Sequence, residues 1–371
     1  SDANQALKNG NYEAAVDFFN AVIIQPDADP MLRSAAIYGL GEAALREGLY
    51  DEAAQSLTNF ILNYPEDPRV PQATFLRGDA YLGLSEWQRA IDDFNTYLAL
   101  RPGIIDSYAH ERIGDAFLAL GQPEESLAAY ARAVEATRAL VPLLALRERV
   151  AAGYVNAGRP RDAVAQYDAI LNEARNGPYR ASIQYQAAQV LLNMNDVAGA
   201  HTRLQMIVKD YPSTYAAYQA MGILLNAGLQ IDTYQQGLIA YSNEDYQAAI
   251  NAFNTYTSQT GAAPAEVLMM LGRAYREVGN SQAAITTFQT VIDVYPTDPA
   301  FGEAWLEQGR TLFLSGDVPG AIQKYAALAT QHPDTPQGAE ALWRAGYLYS
   351  TQNDTQNALA TFDILGQMYP G

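Results

Sequence analysis

The chain has 371 residues, 49% of them hydrophobic and 17% charged, with 41 acidic against 23 basic side chains and a formal charge of −18. It contains no cysteine, which excludes disulfides, thiolate metal sites, iron–sulfur clusters and cysteine nucleophiles. The acidity is shared equally: residues 1–185 and 186–371 each carry −9, so neither half offers the basic surface that phosphate neutralisation needs, and nucleic acid is not expected as a partner.

At about 150 residues per domain, the length alone predicts two or three compact domains. Self-comparison replaces that expectation. The first unit is entered midway, with Ala3, Ala15 and Phe19 in phase. A small residue then recurs at Gly41, Gly78, Gly114, Ala151 and Ala188, at intervals of 36 or 37. After a gap of 49 it resumes at Gly237, Gly272, Gly309 and Gly346, at intervals of 35 to 37. Twelve residues after each lies a second small residue, such as Ala53, Ala90 or Ala284. Four further on lies a large one, such as Leu57, Phe94, Tyr130, Phe288 or Tyr325. Most units close on proline, at Pro65, Pro102, Pro212, Pro296, Pro333 and Pro370.

This period predicts helical hairpins. Gly48, Gly121, Gly158, Asn195, Gly279, Gly316 and Asn353 lie between the two small residues, where a left-handed residue ends the first helix. Small side chains allow two antiparallel helices to cross closely. Proline stops the second helix because it lacks the amide proton the ladder needs. Within a helix, apolar residues follow three- and four-residue spacing, as in Ile285, Phe288, Val291 and Ile292.

Gly272-Arg273-Ala274-Tyr275, then Ala284, Phe288 and Pro296, resembles the tetratricopeptide repeat (TPR), and the resemblance covers nearly the whole chain. It implies an all-α fold, a right-handed superhelical solenoid of antiparallel helix pairs. The units exceed the usual 34 residues in their links, as in Tyr64-Pro65-Glu66-Asp67-Pro68 and Tyr295-Pro296-Thr297-Asp298-Pro299. Such links resemble TPRs of bacterial envelope proteins, which implies an extracytoplasmic setting, with the cytoplasm as the alternative. The long gap predicts an extra helix with a glycine stop, ending in Leu224-Leu225-Asn226-Ala227-Gly228. The expected organisation is a first array over 1–212, an inserted helix over 213–231 and a second array over 232–371. The midway start and the stop at a repeat boundary, without a polar capping helix, predict a piece of a longer protein.

The sequence offers no catalytic constellation. None of Lys8, Lys209 and Lys324 follows a phosphate-binding glycine loop, and there is no HExxH or Gly-x-Ser-x-Gly. His110, His201 and His332 are far apart in the chain and read as structural. Adjacent acids at Asp92-Asp93 and Glu124-Glu125 point in different directions on a helix. No cofactor or metal is expected, and no apolar run of about 18 residues predicts a membrane-spanning helix.

A surface remains. By the resemblance, first helices line a groove, with ligand-facing slots six and three residues before, and one and four after, the recurring small residue. These slots hold Tyr38, Glu42, Phe75, Asp79, Tyr108 and Asp115 early in the chain, an aromatic and acidic set. Later they hold Tyr185, Tyr234, Arg273, Arg310, Trp343 and Tyr347, where arginines enter. The early set lacks the Lys and Asn with which some TPR proteins clamp a terminal carboxylate. The implied function is a non-enzymatic scaffold that binds a protein or peptide. The alternative is the non-catalytic superhelical region of a lytic transglycosylase, orienting peptidoglycan strands; the Asp232–Leu238 stretch loosely resembles that region, and the catalytic motifs of that family are absent.

Overall fold

A computed structural model describes residues 2–370, and the described residues are all-α, with 21 helices and no strand. The chain divides into two compact units, Ser1–Arg175 with Gln189–Asp196, and Asn176–Ala188 with Val197–Gly371. The first unit contains five helix pairs. They are α1 (Asp2–Lys8) with α2 (Tyr12–Ile23), α3 (Pro30–Glu47) with α4 (Tyr50–Asn63), α5 (Val70–Gly83) with α6 (Trp87–Leu100), α7 (Asp106–Ala119) with α8 (Pro123–Glu135), and α9 (Leu140–Asn156) with α10 (Pro160–Glu173).

Helix α11 (Gly177–Asn193) supplies residues to both units and is followed by α12 (Val197–Asp210) and α13 (Tyr215–Asn226). The second unit continues with four pairs. They are α14 (Thr233–Ser242) with α15 (Tyr246–Thr260), α16 (Ala265–Glu277) with α17 (Ser281–Val294), α18 (Ala300–Leu314) with α19 (Val318–Gln331), and α20 (Gly338–Thr351) with α21 (Thr355–Met368). The long gap contains α13, which packs against α12.

The recurring small and large residues touch one another. A methyl group added at Gly78 would lie 2.8 Å from the ring of Phe94, and one at Gly272 would lie 2.5 Å from the ring of Phe288. Each partner ring is fully buried. The glycine is therefore a socket for the large residue of the second helix, so the two positions recur together. Close packing of this kind makes a large-to-small change at the ring costly, about 3–5 kcal/mol.

The turns also follow a local rule. Gly48 and Gly316 adopt left-handed φ angles of 85° and 90° between paired helices. Asn195 and Asn353 do the same at 60°. In two hairpins the residue is Ser85 at 60° or Glu244 at 61°, residue types that do not favour this conformation. The second helices of the four later pairs begin on side-chain caps, as where Asn280 accepts from the Ala283 amide at 3.1 Å and Asp317 from Gly320 at 2.9 Å, whereas α4, α6, α8 and α10 have none.

The long links have a structural use. The hydroxyl of Tyr295 donates to the carbonyl of Ala263 at 2.7 Å, and that of Tyr369 to the carbonyl of Pro333 at 2.9 Å. These two tyrosines so tie their own repeats to the link before. His332 stands in the same slot and packs edge-on against Phe301, with centroids 4.9 Å apart.

Candidate interaction surface

In the first unit the candidate aromatics are half-buried, each beneath an arginine from the following link or hairpin. Tyr38 packs edge-on against Phe60, with the Arg69 guanidinium 5.3 Å from its ring centre. Asp67 holds that guanidinium with hydrogen bonds of 2.9 and 2.6 Å. Phe75 sits 5.2 Å from both Phe94 and Tyr97, under Arg112 at 5.1 Å. Tyr108 lies under Arg138 at 4.1 Å. A guanidinium over an aromatic face is attracted by the ring quadrupole, more strongly when partly desolvated.

The acids of this face are matched by the same arginines. Asp79 accepts a hydrogen bond from Nε of Arg112. Glu111 takes Arg138 at 2.5 Å and Arg149 at 2.6 Å, and Arg149 also reaches Asp115 at 3.2 Å. The hydroxyl of Tyr130 donates to Asp115 at 2.5 Å. Burial, and then the Asp115 carboxylate, push that phenol well above the usual tyrosine range. Burial likewise raises Asp79, outweighing the opposing pull of Arg112. Glu42 is half-buried, 3.7 Å from Arg46 on its own helix. The acidic slots are therefore largely neutralised within the chain.

In the second unit, Tyr185 is half-buried, as is Tyr234, which tilts against Tyr256 at 5.5 Å. Arg273 bonds Glu307 at 2.8 Å and Glu303 at 3.1 Å, and Arg276 pairs with the same Glu307. The Glu307 side chain is 6% exposed. Burial pushes its carboxyl up, but the hydrogen bonds and charges of Arg276 and Arg273 together hold it below the usual range.

The last three candidates differ from all the others. Trp343 and Tyr347, one helical turn apart on α20, are 53% and 52% exposed. Their rings stack with centroids 5.5 Å apart and an interplanar angle of 8°. Arg310 on α18 is exposed, and among the described residues it donates no hydrogen bond and makes no ion pair. These three line one open pocket of about 550 Å³ with Phe313, Leu314, Tyr325, Glu340, Arg344 and Leu348. Tyr325 from α19 forms a buried floor, and Arg344 is held by Glu340 at 2.6 Å. Phe313 is outside the sequence-based candidate set although it lies four residues after Gly309, a groove slot. Leu314 and Tyr325 carry no groove signal in the repeat phase.

Among the described residues no cluster of His, Cys, Asp and Glu is placed to hold a metal ion. No described helix is long and apolar enough to cross a membrane.

No curated protein sequence matches the chain. Among solved structures it is similar to a crystal structure of MamA, with 20% identity over 47% of this chain and 94% of that one, at a TM-score of 0.40. It is also similar to MamA from Desulfovibrio magneticus RS-1, with 17% identity over 46% and 89% of the two chains and a TM-score of 0.38. A thermophilic TPR protein of Thermus thermophilus shows 21% identity over 51% and 95%, with a TM-score of 0.34. Tetratricopeptide repeat family models match residues 38–103, 107–139, 183–214, 234–299, 269–336 and 340–371, together well over half of the chain. Helix α13 falls between two of these matches. The chain belongs to the tetratricopeptide repeat family.

Proposed function

We propose that this chain is a non-catalytic scaffold that binds a protein partner, and that α18 and α20 carry its principal contact site. TPR repeats of this kind support protein–protein interaction. One observation carries the choice of site. The Trp343–Tyr347 stack is exposed beside an unpaired arginine in an apolar-lined pocket, whereas the early groove aromatics are already covered. Exposed aromatics grouped around a cation are the composition of interface hot spots. An isolated stack of this size, left in water, gains most from a partner that covers it.

The test is selection of peptides from a displayed random library on the folded full chain, repeated on Trp343→Ala and Phe75→Ala. Selected peptides are expected to bind the Phe75 variant normally and to lose at least roughly 30-fold in affinity on the Trp343 variant. Equal binding to wild type and the Trp343 variant would move the site elsewhere.

An extracytoplasmic setting belongs to the same proposal, on the resemblance of the Tyr-Pro links to those of envelope TPR proteins. Fractionation of the parent gene product checks it, and recovery in the cytosol alone would remove that part. The domain scheme of two arrays around an inserted helix is retained as a proposal, to be checked by limited proteolysis between 213 and 231.

A further inference from the structure

We propose that the pocket between α18 and α20 recognises a carboxylate side chain placed beside a large apolar side chain in the partner segment. This rests on the reading of the pocket as the contact site and adds its chemistry.

Four arginines lie on α16, α18 and α20. Arg273 and Arg276 are both tied to Glu307, and Arg344 is tied to Glu340. Arg310 is the one left without a carboxylate among these four. The pocket around it therefore holds two arginines against one glutamate, a local excess of one positive charge in a chain of −18. A guanidinium with open donors beside an aromatic wall presents two neighbouring demands. Its fork is matched by a carboxylate, and the Trp343–Tyr347 face with Phe313 and Leu314 is matched by an apolar side chain. A basic side chain at the same place would meet Arg310 without compensation.

The net charge of the chain sharpens this. Long-range repulsion opposes any acidic ligand, and it is screened beyond about 8 Å at physiological salt. Recognition must therefore come from contact with Arg310 rather than from steering. Moderate salt should weaken binding little, in contrast to ligands captured by a broad charged surface.

The test uses the full chain and the displayed peptide library, with three variants at Arg310 and with Trp343→Ala. On wild type, enriched peptides are expected to carry Asp or Glu within two positions of Trp, Phe, Leu or Ile. Arg310→Gln should lower the affinity of an enriched peptide roughly tenfold, the weight of one charge-assisted hydrogen bond. Arg310→Lys should recover part of it. Arg310→Glu should invert the selection toward Lys or Arg beside the apolar residue, a change a merely structural arginine would not produce. Enriched peptides that need Trp343 but ignore Arg310 and carry no acid would overturn this inference and leave the proposed site standing. Peptides indifferent to Trp343 would overturn both. Failure to enrich any peptide, or binding of soluble peptidoglycan strands in place of peptides, also counts against it. So does self-association in sedimentation that Trp343→Ala abolishes, because the occupant would then be a second copy.

Discussion

The groove aromatics of the first unit and those of α20 lie in groove slots of first helices, with Tyr38, Phe75 and Trp343 in the same slot, and have opposite surroundings. Tyr38, Phe75 and Tyr108 lie under Arg69, Arg112 and Arg138, each supplied by the following link or hairpin. Trp343 and Tyr347 stack only on each other in the pocket and remain half in water. Repeat phase places an aromatic on the first helix. Whether that aromatic is covered or left exposed depends on an arginine that sits outside the repeat phase. The first unit uses its face to join neighbouring repeats, and the second leaves part of its face open.

The largest expected effect tests the second unit's own internal pairing. Glu307→Ala leaves Arg276, whose side chain is 7% exposed, without its buried partner. Loss of one member of a buried pair costs about 3 kcal/mol or more. Repeats open locally, so the loss should be read by hydrogen exchange in α16 and α18 rather than by one global melt. Unchanged exchange there would show that the network carries no stability.

The next largest effect bears directly on the comparison. Phe75→Ala should destabilise α5–α7 by about 2 kcal/mol, because a half-buried ring is removed from two aromatic neighbours and a guanidinium. Trp343→Ala should change stability by less than about 0.5 kcal/mol, as for an exposed surface residue. Equal losses at the two sites would erase the distinction between packed and open aromatics.

A smaller effect follows from two carboxyls shifted in opposite directions. Glu307 is held below its ordinary range by Arg276 and Arg273, against burial. Its contribution is present above the unfolded carboxyl pKa of about 4.3 and is lost as pH falls through the lower folded value. Asp79 is raised by burial. Its folded state binds the proton first, so local stability rises as pH falls from the folded value toward the unfolded value of about 3.9. Hydrogen exchange between pH 6 and 3 should show α5 and α7 gaining protection before α16 and α18 lose it. The same sign at both places would contradict the burial argument for Asp79.

Much of the fold was legible because one contact repeats. Gly78 must be small where Phe94 enters, and that pairing imprints a period on the sequence. Ser85 and Glu244 were not legible as turn residues, because the backbone there is left-handed without the residue type that favours it. The groove slots located the exposed stack and Arg310, yet they gave equal weight to Tyr38 and Phe75. The difference arises from Arg69 in a link and Arg112 on the first helix of the next pair, more than 30 residues away and at no fixed phase. Local carboxylates at Asp67 and Asp79 hold those arginines. Spacing within one repeat contains no trace of that cover.

The three tryptophans, Trp87, Trp305 and Trp343, allow the central claim to be tested without altering the chain's shape. With 5-fluorotryptophan incorporated, each indole gives its own fluorine resonance. Titration with a display-selected peptide is predicted to shift the Trp343 resonance and reduce its solvent accessibility, while Trp87 and buried Trp305 stay in place. Saturable binding with Trp343 unmoved would contradict the assignment of the pocket between α18 and α20 as the contact site.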